Sequence, residues 1–301
     1  MRGGKIPIRL ILAALLWTPY IFGQYAVLPS VYQRVGADLQ NGQFAAAEAA
    51  LQAALQNHPR DVHALGMLGV VLDAERKYKQ AEIYYSEALR LDPQSASLLN
   101  NLGNHYLATG DFARARDAYL RVVALDPHHP NSNLQLATMS VDANQGRKAL
   151  HYLAELPRGA DDQEAVKLLR ARALHLAGEG AQAERLLREL ERDAGRNPRV
   201  AFSVGMVEVQ WKEYKEAEQV LRRALDADPT NPVIMYNLGL CALSAGDLGT
   251  AQGMLTAALR QRPDDVDTLY SLARLEAERG DNGQAIAHLV RAHQLAPRRS
   301  D

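Results

Sequence analysis

Alanine recurs at Ala47, Ala81, Ala115, Ala149, Ala183, Ala217, Ala251 and Ala285, each 34 residues after the last. A spacing kept through eight copies without an insertion means that one small unit is stacked repeatedly and that contacts run between neighbours. Other positions hold the same interval. Four residues after the alanines stand Leu51, Tyr85, Tyr119, Leu153, Leu187, Leu221, Leu255 and Leu289, on the face of a helix that the alanine also occupies. Twelve residues before them stand Val35, Gly69, Gly103, Ala137, Ala171, Gly205, Gly239 and Ala273, nearly all small enough for two backbones to approach. Twelve residues after them come Pro59, Pro93, Pro127, Pro229, Pro263 and Pro297, with Asp161 and Gly195 in the two remaining places. Proline ends a helix, so each period predicts helix, turn, helix, stop.

The fullest copies carry a recognisable set of residues. Leu102-Gly103, Tyr106, Gly110-Asp111-Phe112, Ala115, Tyr119 and Pro127 form one, and the stretches from Leu68-Gly69 to Pro93 and from Leu238-Gly239 to Pro263 form two more. On these residues the chain resembles the tetratricopeptide repeat family. The resemblance implies an all-α fold, a right-handed α-solenoid of stacked helix-turn-helix repeats. It covers residues 28–299 as eight repeats, 28–61, 62–95, 96–129, 130–163, 164–197, 198–231, 232–265 and 266–299. Phe44, Tyr78, Phe112 and Tyr214 share one repeat position and are expected in the core. The fourth and fifth repeats depart most: Asn133 and Lys167 stand for apolar residues, Gly146 and Gly180 for the aromatic, and Pro157 intrudes near a helix end. A bend near residues 155–163 is one expectation there, and divergent but regular packing is the other.

A solenoid grows one repeat at a time, so 301 residues need not be two domains. With 34 basic against 35 acidic side chains, nothing suggests a clustered positive surface, and nucleic acid is not an expected partner. Cys241 is the one cysteine, so an intrachain disulfide or a cysteine-based zinc site is excluded. Residues 1–27 follow none of the repeat rules. Arg2, Lys5 and Arg9 precede the apolar run from Leu10 to Trp17, the profile of a signal peptide or an N-terminal membrane anchor. Cleavage after Gly23 or Ala26 would release a soluble array; retention would attach the chain to a membrane through residues 10–28. Either fate puts the repeats outside the cytoplasm, periplasmic or secreted, or anchored in the cytoplasmic membrane with the repeats outside.

Catalytic signals are absent. Gly178-Glu-Gly180-Ala-Gln-Ala183 fits a dinucleotide-binding spacing, but it falls in a turn between two helices and ends on a ladder alanine, where that motif needs a preceding strand. Among nine histidines, neither His288 with His293 nor His128 with His129 has a third ligand at metal spacing. No cofactor, metal or catalytic residue is expected.

The family resemblance implies that the first helix of each repeat lines a concave groove with side chains free of packing duties. In the fifth to eighth repeats these are Arg172, Arg199, Phe202, Met206, Tyr236, Asn237, Leu240, Tyr270 and Arg274. Aromatic, methionine and arginine side chains are those enriched at protein interfaces, and this set is the expected partner-binding surface. A secondary patch in the second to fourth repeats, His63, Asn100, Asn101, Asn104, Asn131 and Gln135, is rich in amides suited to an extended peptide backbone. The expected role is an extracytoplasmic interaction scaffold that binds a protein or peptide segment, within an envelope assembly, secretion or polysaccharide-export complex. Two other roles fit the same pattern: a membrane-anchored organiser that self-associates through its C-terminal repeat, and an enzyme using His63 or His175 on a small substrate.

Overall fold

The computed structural model describes residues 30–194 and 197–297, and among these the chain is helix, turn and linker without a strand. Residues 1–27, with the apolar run, lie outside the described residues. The chain divides after Ala160 into two compact units. The N-terminal unit holds four helix pairs: α1 (Ser30–Gln40) with α2 (Phe44–Asn57), α3 (Val62–Ala74) with α4 (Tyr78–Leu91), α5 (Ala96–Thr109) with α6 (Phe112–Leu125), and α7 (Pro130–Asp142) with α8 (Gly146–Ala154). The C-terminal unit holds four more: α9 (Glu164–Leu176) with α10 (Gly180–Ala194), α11 (Pro198–Gln210) with α12 (Tyr214–Ala227), α13 (Pro232–Ser244) with α14 (Leu248–Gln261), and α15 (Val266–Glu278) with α16 (Asn282–Leu295).

The ladder alanines are the floor of this packing. All are closed to solvent, at 0% exposure for seven and 5% for Ala285, because each sits where the second helix of a pair crosses the first. Four residues on, Tyr85 and Tyr119 lie directly over glycines of the partner helix: a Cβ on Gly69 or Gly103 would come within 2.5 Å of the ring. Gly205 and Gly239 stand in the same relation to Leu221 and Leu255, at 2.6 and 2.7 Å. A large side chain on one helix thus fills the space that a missing one leaves on the other.

Helix boundaries follow from local chemistry. Asp61, Ser95, Asn197, Asn231 and Asp265 cap first helices by accepting from backbone N–H groups two or three residues on, and the imidazole of His129 does so for α7. The turn inside each pair passes through the left-handed region at one repeat position, Gly42, Arg76, Gly110, Asn144, Gly178, Lys212, Gly246 and Gly280. At the far end, His58, Asp92, Asp126, Asp228, Arg262 and Ala296 have φ between −138° and −132°, the extended backbone that a following proline imposes. Where Pro157 comes four positions early, α8 stops after 9 residues. The segment expected to bend is therefore where a helix is cut short and the two units divide.

Two expectations about the core change. Phe112 is 54% exposed at the first residue of α6, where only part of the ring can reach the partner helix. Asn133 is 1% exposed yet satisfied, donating its amide to the carbonyls of Pro127 and His129 at 2.7 and 3.1 Å, so it ties the preceding linker to α7.

Arg76 and Lys212 hold left-handed backbone at φ 61° and 64°, which costs an L side chain about 1–2 kcal/mol. Arg76→Gly and Lys212→Gly should each raise stability in urea titrations by roughly 0.5–1 kcal/mol after the entropy of glycine is set against that cost. Gly103→Ala should lower stability by about 1–3 kcal/mol, since Tyr119 must leave its seat.

Candidate partner-binding face

The first helices of the C-terminal unit repeat a surface pair with i, i+4 spacing: Leu168 and Arg172 on α9, Phe202 and Met206 on α11, Tyr236 and Leu240 on α13, Tyr270 and Arg274 on α15. Residues four apart lie one above the other on a helix, so each helix offers one two-residue rung. Arg172, Phe202, Met206, Tyr236, Leu240 and Tyr270 are half-buried, and Arg199 and Arg274 are exposed. Half-burial has a source: Phe202 packs on the core beneath α11 and α13, and Tyr236 and Leu240 on the core beneath α13 and α15. These side chains therefore do have a packing role, at their inner edges. Arg274 pairs with Glu278 at 3.4 Å. Asn237 is the buried member of the set, its amide donating to the Val233 carbonyl at 2.8 Å.

In the N-terminal unit the amide patch is bonded mostly to itself. Asn131 donates to the side-chain oxygens of Asn100 at 2.7 Å and Asn104 at 3.1 Å. Ser132 donates to Asn100 at 3.2 Å and Tyr119 to Asn104 at 2.6 Å. The network stitches α5 to α7 and occupies acceptors that a peptide would need. Asn101 and Gln135 remain half-buried beside it. His63 meets the Tyr32 ring edge-on at 4.6 Å, and burial holds its pKa below the usual histidine range against the pull of Asp61.

Ionisable groups that the sequence did not single out are buried between helices. Asp73 accepts from the Tyr85 hydroxyl at 3.0 Å and lies 2.7 Å from Nδ1 of His105, joining α3, α4 and α5. His105 is 2% exposed, which leaves no room for a substrate. Glu276, also 2% exposed, meets Nδ1 of His288 at 2.8 Å. Glu208 occupies the same repeat position as Glu276, and as Asp38, but unlike Glu276 both Glu208 and Asp38 keep one buried oxygen, Oε2 and Oδ2, without a hydrogen-bond partner among the described residues. Acidic residues returning at one position of an otherwise apolar pattern were the available signal. Burial also pushes the Cys241 thiol up to about 12, which keeps it protonated and unreactive.

Neither histidine weighed for catalysis is placed with a partner base. The His175 ring stacks flat on Trp211 at 4.2 Å, and His63 is the one under Tyr32. One hollow, lined by Arg116, Met139, Lys148 and Tyr152, has a volume of about 50 Å³, well below the ~300 Å³ at which small-molecule sites begin; another, of about 310 Å³, is bounded only by the four residues Arg262 to Asp265 of one linker. Among the described residues no three His, Cys, Asp or Glu side chains converge as metal ligands, and no helix is long and apolar enough to cross a membrane.

Two family profiles, both described as tetratricopeptide repeat, match this chain: one over residues 32–96, 74–130 and 168–232, the other over 106–172, 210–275 and 242–301. Cellulose synthase operon protein C of Pseudomonas fluorescens (strain SBW25) is 31% identical over 160 residues, 50% of this chain and 12% of that protein. Cellulose synthase 1 operon protein C of Komagataeibacter xylinus is 28% identical over 189 residues, 57% of this chain and 13% of that protein. The match thus spans about an eighth of either relative. Among solved structures, a chain of the APC/C hetero-tetramer Cut9-Hcn1 aligns with a TM-score of 0.56 at 14% identity, covering 97% of this chain and 57% of that one.

The amide network separates structure from recognition. Asn100→Ala should cost about 1–3 kcal/mol in chemical denaturation, because it removes the side-chain acceptor of Ser132 and one of the two acceptors of Asn131. Asn101→Ala, outside the network, should change stability by less than about 0.5 kcal/mol.

Proposed function

The chain belongs to the tetratricopeptide repeat family, and we propose that it is an interaction scaffold that docks a protein or peptide segment on the first-helix face of its C-terminal unit. The row of rungs from Leu168–Arg172 to Tyr270–Arg274 carries this reading. Rigid, half-buried aromatic rings supply contact area with little entropy to lose, and the arginines beside them supply charge-assisted hydrogen bonds. The N-terminal patch is the lesser surface, because its amides already satisfy one another. The two relatives named for a cellulose synthase operon support a place in a polysaccharide-export or related envelope assembly. The basic residues before the run Leu10–Trp17 support repeats outside the cytoplasm, released or held through residues 10–28.

A second reading is self-association through the last repeat, which Ile286, Leu289 and Val290 favour by being 61%, 43% and 51% exposed on α16. Ile286 stands where five of the other seven repeats carry Glu48, Glu82, Glu184, Glu218 or Gln252, with Arg116 and Leu150 in the remaining two, and Val290 where five carry Gln52, Ser86, Arg188, Arg222 or Thr256, with Leu120 and Ala154 in the remaining two. Light scattering over a concentration series distinguishes the two, since a monomer at all concentrations leaves only the scaffold.

A photo-crosslinking residue at Tyr236 or Tyr270 should capture the native partner more strongly than one at Asn101. With that partner in hand, calorimetry should show Tyr236→Ala weakening binding by about 1–3 kcal/mol with an unchanged helical signal. Parent-like binding by the Tyr236 and Tyr270 variants, with loss at Asn101 or Gln135, would move the site to the N-terminal unit. A reporter enzyme active only in the cytoplasm, fused after Asp301, should be silent; strong activity would overturn the location.

A further inference from the structure

Glu208 is a buried carboxylate of the C-terminal unit with one oxygen left unpartnered among the described residues. It projects from α11 with 9% exposure, and its Oε2 has no hydrogen-bond partner among the described residues. The equivalent Glu276 two repeats later is answered by His288; the residue equivalent to His288 here is Val220, 4% exposed. Every element packed on α11 can be read for charge. From α10 comes Glu191, itself bonded to Arg223 of α12 at 2.8 Å. Glu213 and Glu216 stand at the start of α12, with Arg223 further along it as the compensating cation. From α13 comes the protonated thiol of Cys241, and α9 meets this core through Leu168 and Ala171. Three carboxylates thus face one buried carboxyl, and the nearest cation is already engaged.

We propose that Glu208 makes the packing of α10, α11 and α12 an acid-tightened joint: the carboxyl is protonated while the helices are closed and ionises into water when they part. Burial first, and then the charges of Glu191, Glu213 and Glu216, raise its pKa from 4.5 to about 8. A carboxyl raised in the closed state binds a proton that the open state has lost. Its stabilisation is therefore complete below the open-state value and is lost as pH rises through about 8. The joint includes α11, which carries Arg199, Phe202 and Met206, so its opening would loosen one rung of the face described above. The pH dependence itself does not rest on the binding assignment.

Hydrogen exchange of the full chain, corrected for intrinsic rates, tests this between about pH 5 and about pH 8. Protection across residues 180–227 should fall with rising pH by up to about tenfold per unit, while that of α3 and α4 does not fall, and Glu208→Gln should remove the slope. An equal slope in Glu208→Gln would overturn the proposal. If that variant fails to fold, carbon-13 titration of the glutamate carboxyls in the unaltered protein still decides. One glutamate titrating above about pH 7 is expected, and a full set titrating below about pH 6 would overturn it.

Discussion

The tyrosine ring seated on a glycine, Tyr85 on Gly69 and Tyr119 on Gly103, sets how near the two helices of a pair can come, and much else follows from that distance. With the ladder alanine one turn before the ring, no side chain holds the helices apart. The close approach fixes which residues of the first helix turn toward its partner and, by the helical period, which turn away. Those turned away include the surface rungs such as Phe202–Met206 and Tyr236–Leu240. Because glycine or alanine stands at this seat in seven of the eight pairs, Val35 being the exception, the rungs recur too, and a local contact is multiplied into a periodic face. Leu221 and Leu255 do the same over Gly205 and Gly239, with branched side chains in place of a ring.

Polar burial divides the repeats where apolar packing makes them alike. Asp73 with Tyr85 and His105, the Asn100–Asn131 network, and Glu276 with His288 each join a helix to a neighbour by directional bonds that an apolar contact would not supply. A satisfied network discriminates between registers, because a slipped helix leaves its members unpaired in a low-dielectric interior. Glu208 lacks that compensation. A group that must be neutral to be buried makes packing conditional on the proton supply.

Periodicity made the fold legible to a large degree. The ladder, the small residues and the prolines marked helices whose starts recur at the same spacing, and Pro157 marked the place where α8 ends early and the two units divide. Conformations and partners that residue type does not encode were not legible. Nothing in Arg76 or Lys212 announces left-handed backbone; the turn position imposes it, and only the glycines there hint at it. Phe112 carries a core residue type at a helix end that leaves its ring open. The amides of Asn100, Asn104 and Asn131 could be placed on one face from spacing, but that they bond to one another depends on how α5 and α7 approach. The same holds for Asn237, which looks surface-bound by position and yet turns its amide back to Val233.

The division of labour proposed for the two faces has a physical reason. Amide groups that hydrogen-bond among themselves gain little by exchanging partners, since a ligand bond replaces a bond already made. Aromatic rings at the C-terminal unit offer another kind of gain: the inner edges of Phe202 and Tyr236 are packed, both side chains are half-buried, and covering the rest removes apolar area from water with few rotamers left to freeze. Arginines along the same face would then act chiefly on orientation and on the rate of encounter, as exposed charges do. Recognition on this chain is thus proposed where packing has fixed the base of a side chain and left apolar surface in contact with water, as at Phe202 and Tyr236.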